Sequence, residues 1–133
     1  MTDVEIGGAR ISNTAPLTVI AGPCQLESYD HAAMIARTMS EICAEHGATY
    51  ASFDKANRTS LLGQRGLGMD AGLRILSDIR SEFGCAVLTD IHTADQCAPA
   101  AKAVDILQIP AFLSRQTDLL LAAGETGAVI NIK

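Results

Sequence analysis

Apolar residues fall along this chain in short unbroken runs, and between the runs they recur every three or four positions. Pro16-Leu17-Thr18-Val19-Ile20-Ala21-Gly22 is such a run, and it predicts a buried strand that turns at Gly-Pro. Ser28 stands where it can cap a helix over 29–46, with Ala32, Ile35, Ala36, Met39, Ile42 and Cys43 on one face and Gly47 as the stop. A second strand follows over 48–53, then a polar segment, 55–68, whose three glycines suit a loop. Residues 70–83 read as a helix on the spacing of Leu73, Leu76, Ile79 and Phe83, with Gly84 ending it. A third strand covers 85–89. Thr93 and Gln96 have the spacing of a capping box for a short helix to Lys102. A fourth strand over 104–109 ends at Pro110, a helix covers 116–123, and a fifth strand covers 128–132.

The order is therefore strand and helix in alternation, with strands that are continuously apolar rather than two-faced. That pattern belongs to a parallel sheet covered by helices. An open doubly wound sheet and part of a β/α barrel both fit. The polar residues favour the barrel, because they cluster at strand ends: Cys24 and Gln25, then Asp54 to Arg58, Asp90 and His92, Gln108 and Pro110-Ala111, and Asn131 with Lys133. In parallel β/α folds these ends share one face, where sites are built. The expectation is an α/β chain forming about five strands of a (β/α)8 TIM barrel. It is a single domain over 1–133, with 1–15 as an N-terminal extension.

Composition narrows the classes. Of 133 residues, 48% are hydrophobic, 4% aromatic and 19% charged, which makes a globular chain with an aliphatic core. A net charge of −5 with scattered bases argues against a nucleic-acid surface. No apolar run approaches the roughly 20 residues that span a bilayer, and the first residues lack the pattern of a secretion signal. The four cysteines, at 24, 43, 85 and 97, have no C-x-x-C spacing, so the default is a reduced, cytoplasmic protein. Cys43, Cys85 and Cys97 read as buried thiols.

One segment breaks the acidic balance. From Lys55 to Met69 the charged residues are Lys55, Arg58 and Arg65, all positive. Composition alone would make this a solvated loop.

A-G-P-C-Q-L-E-S (21–28), A-S-F-D-K-A-N-R-T-S (51–60), R-G-L-G (65–68), L-T-D-I-H (88–92), L-Q-I-P-A-F-L-S-R-Q-T-D-L-L (107–120) and A-V-I-N-I-K (128–133) resemble the 3-deoxy-D-manno-octulosonate 8-phosphate synthases, in register from about residue 17 onward. A-G-P-C is shared with the 3-deoxy-D-arabino-heptulosonate 7-phosphate synthases, so an enzyme of that sister type is the alternative. The resemblance implies a cytosolic (β/α)8 barrel, usually a homotetramer, that serves lipopolysaccharide synthesis. Such enzymes condense phosphoenolpyruvate with arabinose 5-phosphate and release phosphate. It implies that Lys55, Gln108 and the Ala111 backbone N–H contact phosphoenolpyruvate. Asn57 and Arg58 would hold the sugar phosphate, with Arg58 at its phosphate. Lys133 would meet a carboxylate or phosphate, and Arg115 would reach an active site across a subunit contact. Asp90 and His92 would line the rim and orient a hydroxyl or water. Lys55, Asn57, Asp90 and His92 are the candidates for catalysis. Arg65 stands evenly between substrate contact and loop brace.

Members with Cys in A-G-P-C depend on a divalent metal, so Cys24 resembles a metal ligand; the His, Glu and Asp that complete the family's site come from later strands. A metal centre needs about three or four protein ligands, and a whole barrel roughly 250 residues. The 133 residues alone are therefore expected to be an inactive half-barrel. One further departure matters. The family reads V-F-K between the residues here numbered Tyr50 and Ala51, and its lysine binds substrate. Losing three residues shortens a strand by roughly 10 Å and is expected to reverse the facing of the residues before it.

Overall fold

The computed structural model describes residues 3–7, 9–54 and 68–133. Lys55, Asn57, Arg58 and Arg65 lie outside the described residues. The chain opens with an antiparallel hairpin, β1 (Val4–Ile6) and β2 (Ala9–Ile11), which the sequence reading left as an unassigned extension. Five parallel strands then lie side by side in chain order: β3 (Thr18–Ala21), β4 (Thr49–Asp54), β5 (Ala86–Asp90), β6 (Ile106–Ile109) and β7 (Val129–Ile132). Between them run α1 (Tyr29–Glu45), α2 (Met69–Phe83), α3 (Ala94–Ala103) and α4 (Thr117–Glu125), with a 3-10 turn over Ala111–Leu113 before α4. Strands that neighbour in sequence and in space, joined by helices and curling in one direction, form half of a β/α barrel.

Side chains alternate across the sheet. Val19, Tyr50, Val87, Leu107, Ile109 and Ile130 turn outward and pack with the helices around Ala36, Cys43, Leu76, Ile79, Cys97 and Leu119. The opposite, concave face is layered by register. At the N-terminal end Ile20, Ala51 and Ala86 stand level, and Phe53, Leu88, Ile106 and Val129 form the next tier. The last tier is Asp90, Gln108 and Asn131. The hairpin closes the floor beneath them: Ile6 is buried against Ala51, Ala86, Leu88 and Ile106.

Local chemistry explains the helix ends. The Ser28 hydroxyl accepts from the His31 N–H at 3.2 Å, as a capping serine should. Gly84, at φ 59°, takes the left-handed turn that ends α2. The capping box expected at Thr93 is only half made. Gln96 Oε1 does reach back, but to the N–H of His92 at 2.8 Å, and the Thr93 side chain makes no cap bond. Pro99 sits inside α3, where its ring nitrogen has no hydrogen to give to the preceding turn.

The segment at Tyr50 and Ala51 forms an unbroken strand, paired with β3 through Ala21 and Ser52 and with β5 through Asp54 and Thr89. Tyr50 remains among the helices. Ala51 and Phe53 line the concave wall. Two backbones meet closely at this point. A Cβ on Gly22 would stand 1.8 Å from the Phe53 carbonyl oxygen, so β3 can run beside β4 here only with glycine.

Candidate active site

The concave face changes from apolar to polar as the strands run toward their C-terminal ends. Asp90 and Gln108 are each only 5% exposed, although both are polar. Burial of such groups requires partners, and the strand register supplies them. Gln108 Nε2 donates to Asp90 Oδ1 at 2.5 Å, and Asn131 Nδ2 donates to Gln108 Oε1 at 2.8 Å. Three adjacent strands thus carry one hydrogen-bonded row across the mouth of the half-barrel.

The remaining candidates gather around this row or fall outside it. Lys133 follows β7; its backbone N–H donates to the Ile109 carbonyl at 3.1 Å, and its Nζ lies 5.9 Å from the centre of the Phe53 ring. His92 sits on the loop after β5, half-buried, its ring 6.4 Å from that of Phe112. Ala111 opens the 3-10 turn after β6, so its N–H is not consumed by the turn itself. Arg115 is exposed between that turn and α4. Cys24 is an exposed free thiol just past β3, whereas Cys43, Cys85 and Cys97 are buried, as expected. Among the described residues no group of three His, Cys, Asp or Glu side chains could hold a metal ion. Cys24 therefore stands among the described residues without two further His, Cys, Asp or Glu side chains grouped with it.

The sequence reading anticipated none of the contacts in this row; it placed Asn131 with Lys133 at the end of the fifth strand, and the level that sets Asn131 beside Gln108 is a matter of register. Asp105 serves the packing of the fold rather than this rim. Its carboxylate accepts from the Val87 N–H at 3.0 Å and faces Arg80 at 3.5 Å, on the helix side of the sheet. At the opposite end of the strands a cleft of about 510 Å³ opens between the hairpin and the starts of β4 and β5, remote from the polar tier. Among the described residues no helix is long and apolar enough to cross a membrane.

A model of the DAHP synthetase I family matches residues 2–133. A 2-dehydro-3-deoxyphosphooctonate aldolase from Chelativorans sp. (strain BNC1) is 59% identical over 98% of this chain and 48% of its own length. Proteins of the same name from Agrobacterium fabrum (strain C58 / ATCC 33970) and Granulibacter bethesdensis (strain ATCC BAA-1260 / CGDNIH1) are 56% and 59% identical, over 96% and 98% of this chain and 47% of their own lengths. The chain spans about half the length of the curated relatives it matches.

Proposed function

The chain belongs to the DAHP synthetase I family, and on that premise we propose that it forms the first half of a 3-deoxy-D-manno-octulosonate 8-phosphate synthase. The reaction joins phosphoenolpyruvate, arabinose 5-phosphate and water, and yields the eight-carbon keto-sugar phosphate and inorganic phosphate. The observation that carries the reading is the buried row Asp90–Gln108–Asn131, with Lys133 at the same rim. It is supported by the names of the relatives.

The chemistry suits such a rim. C3 of phosphoenolpyruvate attacks the sugar aldehyde and forms the new carbon–carbon bond, and the aldehyde oxygen takes up a proton. C2 becomes electron-poor and accepts water, which loses a proton. The bond from C2 to the phosphate oxygen then breaks as the new C2 hydroxyl passes its proton to the departing phosphate, leaving a ketone and inorganic phosphate. Charge develops between anionic partners, so fixed cations and oriented donors carry the barrier lowering. Lys55, Lys133, the Gln108 amide and the Ala111 N–H are assigned to phosphoenolpyruvate, and Asn57 and Arg58 to the sugar phosphate. Asp90 and His92 are assigned to orienting a hydroxyl or the attacking water. Arg115 would serve a neighbouring subunit's site in a homotetramer. A divalent metal would take Cys24 as one ligand and complete its shell outside this chain. The setting is cytoplasmic lipopolysaccharide synthesis.

The test is phosphate release by a full-length synthase carrying these residues, supplied with phosphoenolpyruvate and either arabinose 5-phosphate or erythrose 4-phosphate. Arabinose 5-phosphate should be the preferred acceptor, chelator should abolish turnover, and the 133-residue chain alone should release no phosphate. Preference for erythrose 4-phosphate would move the assignment to the sister enzyme, and turnover untouched by chelator would remove Cys24 as a ligand. Arg58→Ala should raise KM for the sugar phosphate by about tenfold or more, the worth of a charge-assisted contact.

A further inference from the structure

We propose that Asn131 is a positioning residue that holds the Gln108 amide in the sense that Asp90 imposes; its consequence for catalysis rests on the functional reading above. The argument is one of polarity along a row. Ionised, the Asp90 carboxylate can only accept hydrogen bonds, so the edge of the Gln108 amide facing it must be the NH2 group. The carbonyl edge then faces β7 and needs a donor, and the Asn131 NH2 is that donor at 2.8 Å. Register makes the row possible, since Asp90 is level with Gln108 and Gln108 with Asn131 on the same face of adjacent strands. An amide offers the same shape when rotated by half a turn; the Asp90 carboxylate sets its sense, and the Asn131 NH2 holds it there by satisfying the carbonyl edge.

The orientation matters because the expected ligand is an anion. One N–H of Gln108 Nε2 is spent on Asp90, and the second is the donor a phosphoenolpyruvate oxygen would use. Turned over, the side chain would present its carbonyl oxygen instead, a repulsive partner for a carboxylate or phosphate. Asn131 has no need to touch substrate; it acts through Gln108. The described titratable side chains at this rim are Cys24 after β3, Asp90 at the end of β5, His92 after it, and Lys133 after β7. β6 contributes only the uncharged Gln108.

The experiment uses Asn131→Ala and Asn131→Asp in a full-length synthase. Asn131→Ala should lower kcat/KM for phosphoenolpyruvate by about five- to tenfold, the worth of one amide hydrogen bond, and should leave KM for the sugar phosphate unchanged. Asn131→Asp sets a carboxylate on each side of one amide, which cannot donate to both. Activity should fall further at about pH 8 and should recover relative to wild type by at least about tenfold toward about pH 5.5, as one carboxylate takes a proton and becomes the missing donor. The melting temperature of the Asp variant should approach that of wild type over the same range. A melting difference that ignores pH would overturn the row itself, whatever the substrate proves to be. Convergent melting without recovery of kcat/KM would overturn its role in catalysis. If melting converges while erythrose 4-phosphate is the preferred acceptor, the substrate assignment falls and the row stands.

Discussion

Single atoms decide much in this chain. Gly22 has room for a hydrogen and no more, because the Phe53 carbonyl occupies the place where a Cβ would go. Gly22→Ala should force β3 and β4 apart at their C-terminal ends and cost about 3 kcal/mol, the upper end for overpacking; urea unfolding would measure it, and a loss below about 1 kcal/mol would refute the close approach. Burial also sets how the chain responds to alkali. It pushes the Cys85 and Cys97 thiols and the Tyr50 phenol above their ordinary values, 9.0 for a thiol and 10.0 for the phenol. The fold therefore keeps protons that the unfolded chain releases. The stability they contribute is fully present below the ordinary thiol value and is lost as pH rises through the raised ones. The urea midpoint should stay level to about pH 8.5 and then decline, with a shallower decline in Cys85→Ala. A midpoint unchanged to about pH 11 would contradict the burial of these groups.

Between elements the most instructive contact is a carboxylate on a connection. Asp105 lies between α3 and β6, yet its side chain accepts from Val87 on β5 and faces Arg80 on α2, and its own N–H donates to the Val87 carbonyl at 2.9 Å. One residue thus ties a helix, a strand and the entry of the next strand. Asp105→Ala should cost about 2 kcal/mol, because it leaves a partly buried N–H without its charged acceptor. Asp105→Asn should recover part of that through its carbonyl oxygen. Equal losses in the two variants would show that charge, not the hydrogen bond, matters. The surface pairs across α1 and α2, such as Arg37 with Glu82 at 3.9 Å, are exposed and should contribute little.

At the scale of the molecule, the barrel half was legible because apolar runs and turn residues agree. Pro-Cys after β3, Gly84 after α2 and Pro110 after β6 punctuate elements that periodicity had already typed. The candidate rim was legible as polar residue types at strand ends, Asp90, Gln108 and Lys133 among them. What the sequence concealed was pairing. Whether Gln108 meets Asp90, Asn131 or both depends on the offset between strands, and single-chain patterns carry no offset. The hairpin was missed because its strands are three residues each, too short for alternation to register. That hairpin also imposes an order on biosynthesis. Ile6 leaves the ribosome before the surface it seats upon, which includes Leu88 and Ile106, translated about 80 and 100 residues later. The hairpin is thus made before the strands it docks against, and until then the nascent protein carries its own stopper unplaced.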